Sequence, residues 1–302
     1  MEDLEIVHVN GVSLAYREVG EGEPVVFVHG GLSDLRTWKY QLPTVGESYR
    51  AIAYSRRYAR PNEDIEPGAD DQMLPHVDDL AAFLRAIDAA PAHVVGNSWG
   101  AFIALLTAIR HPDVVRSLVL EEPPLIPLVI GAGSRPEPRV LLRNLVRRPR
   151  LTLAVMRFGV GTVAPLKKAF GRGDDASAME TFIHAVLGKE PYARLPEARK
   201  QQMRENLSAL EAQMLGAGFP PLSEEEVRRV RVPVLLLTGE RSPAFLLRLS
   251  DRLEELLPSV RHVDIPTASH AMHEENAPAV NAAVTSFLDE VYGRRPSSTI
   301  SR

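Results

Sequence analysis

The 302-residue chain contains no cysteine, which excludes disulfides, thiol nucleophiles and Cys-ligated metals. It has no surplus of charge: 35 Lys and Arg stand against 39 Asp and Glu, a formal net charge of −4. That balance gives no electrostatic case for nucleic acid as the main partner. No apolar run reaches the roughly 20 residues that a membrane-spanning helix needs, so integral membrane association is not expected. The first residues include Glu2 and Asp3 and build no long apolar segment before Asn10-Gly11. A cleavable leader is therefore not expected either, and a cytoplasmic location is. No internal repeat is visible. With 45 % hydrophobic and 25 % charged residues, the chain has the composition of an ordinary globular protein, not of a disordered one.

What is present reads as strands alternating with helices. Leu4–Val9 and Val12–Val19 flank Asn10-Gly11, a hairpin signal. Pro24–Val28 is a short continuous apolar run, the pattern of a strand buried on both faces. Arg50–Tyr54 is a weaker version of it. Val77, Leu80, Ala81, Leu84 and Ile87 recur at helical spacing. A strand over Ala92–Val95, a helix over Ala101–Arg110 and a strand over Val115–Leu120 follow, the helix stopping before His111-Pro112. This alternation implies a mostly parallel sheet covered by helices. After Pro123-Pro124 the rhythm changes, and residues 125–226 read as helical pieces broken by prolines. Strands resume at Val232–Leu237 and near Arg261–Ile265, with helices near Ala244–Leu257 and Ala277–Tyr292. The expected organisation is a core over 1–124 and 227–293, an inserted helical unit over 125–226, and a polar tail over 294–302.

Three segments carry chemistry. Gly96-Asn97-Ser98-Trp99-Gly100 lies between a strand and a helix, the context of a G-x-S-x-G nucleophile elbow. Small residues on both sides let the chain turn within a few residues and hold the Ser98 hydroxyl outward. His29-Gly30-Gly31 directly follows the buried strand Val25–Val28. An acyl-transfer nucleophile needs two backbone N–H donors aimed at the developing oxyanion. Trp99 and Gly31 are the expected donors, with Leu32, the neighbour of Gly31, to compare and itself expected to contact substrate. Ala268–Glu274 contains two histidines. His270 falls in the loop after the last strand, where a base for the serine is expected. His273 sits closer to a helix start and reads as solvated or capping.

With these motifs in this order, the chain resembles the α/β-hydrolase superfamily over essentially its whole length outside the insertion. The resemblance implies an eight-stranded, mostly parallel sheet with strand 2 antiparallel, and a helical cap inserted after strand 6. It also implies a triad in the order serine, acid, histidine. Where many relatives place an Asp after strand 7, this chain reads Gly239-Glu240-Arg241-Ser242, and a serine cannot stabilise an imidazolium by charge. Some relatives carry the acid after strand 6 instead, and there the chain reads Leu120-Glu121-Glu122. Glu122 is the expected acid and Glu121 is expected to point the other way; Glu240 and then Asp264 are the alternatives. Tyr54-Ser55-Arg56-Arg57-Tyr58 also departs from the family pattern. It lies near the ligand-binding edge of the sheet, so Arg56 or Arg57 is expected to pack there, to support the site or to contact substrate.

The implied activity is hydrolysis of a carboxylic ester or lactone through an acyl-enzyme on Ser98, without metal or organic cofactor. Ser rather than Asp at 98 argues against haloalkane dehalogenase and epoxide hydrolase chemistry. The nucleophile alone leaves amide and carbon–carbon bond cleavage open, as well as a lyase or a ligand receptor with little turnover. Homodimerisation is also open. One feature stands apart: between Arg135 and Arg172 there are eight Arg and two Lys against one acid, Glu137. Arg139, Arg143 and Arg147 recur every four residues beside Val140, Leu141, Leu142, Leu145 and Val146. This is an amphipathic helix with a basic side, expected to be a solvated outer face, with anionic-substrate steering or membrane-surface contact as sharper alternatives.

Overall fold

The computed structural model describes residues 4–293; the expected polar tail over 294–302 lies outside them. Eight strands form one sheet: β1 (Glu5–Val9), β2 (Val12–Val19), β3 (Pro24–Val28), β4 (Arg50–Tyr54), β5 (Ala92–Asn97), β6 (Val115–Glu121), β7 (Val234–Gly239) and β8 (Val260–Ile265). Their order is β1-β2-β4-β3-β5-β6-β7-β8. β2 is antiparallel to both its neighbours and every other pairing is parallel. Three helices precede β6: α1 (Gln41–Gly46), α2 (Met73–Ala86) and α3 (Trp99–Arg110).

The central strands read as continuous apolar runs because both faces are covered. Val26, Val94, Leu118 and Leu236 face α2 and α3, while Val25, Val95, Val119 and Leu235 face the opposite layer. All eight of these side chains are fully or almost fully buried. Each contributes about 1.5–3 kcal/mol relative to exposure.

Between β6 and β7 run α4 (Pro127–Ile130), α5 (Pro138–Arg147), α6 (Pro149–Phe158), a π-helical turn (Gly159–Val163), α7 (Ala164–Phe170), α8 (Asp175–Val186), α9 (Lys189–Arg194), α10 (Glu197–Glu205), α11 (Leu207–Leu215) and α12 (Glu224–Arg228). After β7 come α13 (Ala244–Leu256), α14 (Met272–Glu275) and α15 (Ala277–Tyr292). α13 joins the apolar layer of α2 and α3, and α15 packs with α1 on the other face. Pro127, Pro138, Pro149 and Pro165 sit in the first turns of α4 to α7. There a missing N–H costs nothing and a fixed φ helps. The helices form a core of their own, in which Leu166, Ile183, Met203 and Leu210 pack with Leu32 and Ala271 from loops of the sheet. No helix among the described residues is long and apolar enough to cross a membrane.

One expectation needs correction. Helix α3 begins at Trp99, not Ala101. The turn is completed at Ser98, so the next residue already has helical geometry. In α5 the apolar residues do not share one buried face: Leu142 and Val146 are 63 % and 76 % exposed. The inward side is instead set by Asn144, whose Nδ2 donates to the carbonyls of Leu128 and Val129 at 2.9 Å.

Candidate active site

The junction of β5 and α3 is so tight that it leaves no room for a side chain at positions 96 and 100. A Cβ on Gly96 would lie 2.7 Å from the backbone nitrogen of Ala101, and one on Gly100 would lie 2.3 Å from the carbonyl oxygen of Val28. Ser98, between them, has φ 53° and ψ −119°, a left-handed backbone that costs a non-glycine residue about 1–3 kcal/mol. Its N–H donates to the Glu121 carbonyl at 2.8 Å, tying the turn to β6. Ser98 is partly exposed although Asn97 and Trp99 on either side are buried. Since α3 starts at Trp99, the Trp99 N–H is one of the helix's unpaired first donors.

The loop after β3 is built on a buried histidine. Burial pushes the His29 imidazole well below its usual range, with the nearby Arg56 guanidinium adding to it. A neutral ring is also what its bonds require. Nδ1–H donates to the Gly30 carbonyl at 2.9 Å, and Nε2 accepts the Arg56 backbone N–H at 3.0 Å. Arg56 closes the arrangement by donating from Nε to the His29 carbonyl and from Nη2 to the Gly30 carbonyl, both at 3.0 Å. Its guanidinium is thus turned under the loop and is only 3 % exposed. The expected contact of Arg56 with substrate is therefore corrected: it does not line the cavity at Ser98, because the carbonyls of residues 29 and 30 already take its donors. Arg57 is engaged with Asp79.

His270 and Glu122 are brought together. Nδ1 of His270 lies 2.6 Å from Oε2 of Glu122, and the other oxygen of Glu122 accepts the Gly239 N–H at 2.9 Å. Glu122 is fully buried and turns with φ 47°. A carboxylate at Nδ1 leaves Nε2 as the ring's other face. Of the other carboxylates weighed, Glu240 accepts the Thr267 N–H at 2.7 Å, and Asp264, 78 % exposed, accepts from Thr238. Neither bonds His270.

The neighbouring pair is a surprise. His273, expected to be solvated or capping, is 3 % exposed. Its Nδ1 lies 2.8 Å from Oε2 of Glu121 and its Nε2 lies 3.0 Å from Oγ1 of Thr37, with the Trp38 ring 4.5 Å away between centroids. Proximity to the start of α14 carries no information about what packs onto it. Asn97 joins the two pairs, donating from Nδ2 to Glu121 and to the His270 carbonyl.

Ser98 and His270 line one cavity of about 40 Å3, together with Gly31, Leu32, Phe182, Met203 and Arg199. Arg199 of α10 is a residue that sequence reasoning missed. It donates to Glu274 at 2.8 Å and to the Leu32 carbonyl at 3.0 Å. Burial alone would raise the Glu274 carboxyl, but Arg199 and His273 hold it below the usual carboxylate range. Nothing in one sequence signals this pairing, since 75 residues separate the partners. Among the described residues, no three His, Asp or Glu side chains converge where a metal ion would sit.

The family model of the α/β-hydrolase fold matches residues 23–277. A candidate non-heme bromoperoxidase, BpoC, of Mycobacterium tuberculosis is 40 % identical over 284 residues, covering 93 % of this chain and 99 % of that one. The chain belongs to the α/β-hydrolase fold family. Two solved structures share the fold of this hydrolase at lower identity. A thermophilic esterase from Thermogutta terrifontis superposes with a TM-score of 0.72 at 20 % identity, over 96 % of this chain and 99 % of that one. An enol-lactonase from Burkholderia xenovorans superposes with a TM-score of 0.66 at 20 % identity, over 94 % and 99 %.

Proposed function

We propose that this α/β-hydrolase cleaves carboxylic esters or lactones through an acyl-enzyme on Ser98. The observation that carries the reading is a serine on a strained strand–helix turn, sharing a cavity with a histidine whose Nδ1 is bonded to a buried glutamate. In this reading Ser98 attacks the carbonyl carbon while Nε2 of His270 takes its proton. Glu122 orients the ring and stabilises the imidazolium that forms. The N–H groups of Trp99 and Gly31 hold the oxyanion. His270 then protonates the leaving alkoxide. Water, deprotonated by His270, attacks the acyl carbon, and the acid leaves as Ser98 regains its proton. The helices between β6 and β7 act as a cap that excludes bulk water.

A panel of p-nitrophenyl esters, lactones and amides, run on wild type and on Ser98→Ala together, tests this. Sustained ester or lactone hydrolysis that falls by about three orders of magnitude or more in the variant is expected. Hydrolysis that survives the substitution refutes the nucleophile, and a burst without turnover points to a receptor. The name of the 40 % identical relative favours a second reading. Hydrogen peroxide in place of water as acyl acceptor would release a peracid, which oxidises bromide. Bromide oxidation that requires peroxide and a carboxylic acid, and is lost in Ser98→Ala, would mark it.

A further inference from the structure

Two cavities of unequal size flank the elbow, one lined by Ser98 and one by its neighbour Trp99. On the His270 side lies the 40 Å3 cavity walled by Phe182, Met203 and Leu32. A water molecule needs roughly 10–15 Å3 of such volume, so this space holds only a group of a few heavy atoms. On the Trp99 side lies a much larger cavity of about 370 Å3, within the range typical of small-molecule sites. Its inner end is formed by Trp99, Ile126 and Phe219, with the Trp99 and Phe219 rings 5.3 Å apart. It reaches the surface at Met156, Val160 and Ala164, all exposed.

The lining is apolar almost throughout. Of its polar side chains, Gln213 is committed to Asp71 at 2.7 Å, leaving Ser134 and Lys167. Gly31 lines the smaller space and Gln213 the larger, and a Cβ on Gly31 would lie 4.0 Å from Oε1 of Gln213, so this side chain stands between them.

Resting on the reading above, the polarity of the reaction assigns the two spaces. His270 must hand its proton to the leaving oxygen, so the alcohol part of an ester sits on the side that His270 lines. The carbonyl oxygen is held by the oxyanion donors, and the acyl chain, directed away from His270, then extends past Trp99. We infer that the 370 Å3 cavity binds the hydrocarbon chain of the acyl group, and that the substrates are esters of medium-length, unbranched carboxylic acids with small alcohols. Hydrolysis gives the free acid, whose chain leaves through the Met156–Ala164 opening, and the small alcohol.

Methyl octanoate and its isomer heptyl acetate separate this from the reverse orientation. Both are compared with methyl acetate and with the methyl esters between, on wild type, Met156→Trp and Ala164→Phe. For wild type, kcat/KM is expected to rise about fourfold per added acyl methylene until the cavity is filled, and methyl octanoate to exceed heptyl acetate at least about tenfold. The substitutions narrow the cavity at exposed positions, and each should lower the octanoate-to-acetate ratio about tenfold or more. A flat acyl series, a preference for heptyl acetate, or an unchanged ratio in both variants overturns the assignment while leaving ester hydrolysis standing. If wild type hydrolyses no ester at all, the underlying reading fails and the assignment with it.

Discussion

Oε2 of Glu122 lies 2.6 Å from Nδ1 of His270 across 148 residues of chain, and its other oxygen is held by the N–H of Gly239. The carboxylate is fixed at both ends, so it can set the tautomer and orientation of the ring. Glu122→Gln keeps the shape but offers an amide where the ring needs an acceptor. With His270 as the base, kcat should drop by about three to four orders of magnitude. Glu240→Gln, whose carboxylate instead holds the Thr267 N–H, should stay within about tenfold of wild type. Steady-state rates of the two purified variants decide it, and the opposite ranking would place the acid after β7.

The elbow glycines make a stability prediction that does not depend on chemistry. A Cβ on Gly100 would meet the Val28 and His29 carbonyl oxygens at 2.3 and 2.5 Å, and these are backbone atoms that cannot swing away. Gly100→Ala should therefore cost at least about 1–3 kcal/mol by overpacking. Gly161 has open space around it, and Gly161→Ala should cost nothing comparable. Urea unfolding midpoints at equal m-value measure the difference. Equal midpoints would mean that β3 can retreat from α3.

Much of this was legible in the residues because the constraints are local. A strand buried on both faces, as Pro24–Val28 is, must be apolar throughout. A serine on a left-handed turn must have small flanks, and Glu121-Glu122 at a strand end must diverge. The burial of His273 and the role of Arg199 were not legible, because each is decided by a partner far away in sequence. His273 is held by Glu121 and Thr37, and Arg199 by Glu274 and Leu32. α5 shows the same limit. Its amphipathic spacing implies a buried apolar face, yet one hydrogen-bonded asparagine decides which side turns inward.

Arg56 should behave as a positioning residue. It braces the carbonyls of His29 and Gly30 from beneath without lining the cavity. Arg56→Lys keeps a charge but loses the planar two-pronged contact. If the Gly31 N–H stabilises the oxyanion, kcat should fall by about tenfold to a hundredfold while KM for short esters stays within about twofold. A change confined to KM would instead mean that the residue acts on substrate binding.

Stability should fall on acidification before the carboxylates titrate. Burial, with Arg116 adding to it, pushes the His93 ring down to about 4. Above pH 6.5 neither the folded nor the unfolded chain holds a proton there. Between pH 6.5 and about 4 only the unfolded chain takes one up, so the folded state loses on the order of 3 kcal/mol over that window. His29 and His76 are shifted in the same direction by burial and steepen the loss. His93→Gln, which removes one of these protons, should show a shallower decline of Tm between pH 6.5 and 4.5 than wild type, whatever its absolute Tm. Parallel declines would mean that His93 is protonated in the folded state.

The clamp between α10 and α14 gives the last prediction. Arg199 and Glu274 are each about nine-tenths buried and sit 2.8 Å apart. Removing one partner of such a pair leaves the other charged and unpaired away from water, so Arg199→Met should cost about 3–5 kcal/mol. The Glu274 carboxyl should then move up from its present low range, since burial would act on it without the guanidinium. Replacing Glu274 as well removes the stranded charge. The double variant Arg199→Met/Glu274→Gln should therefore be more stable than Arg199→Met alone, although it carries one more substitution. A double-mutant cycle on denaturant midpoints measures this. A double variant less stable than both singles would show that Glu274 is held by Thr37 and His273 rather than by α10.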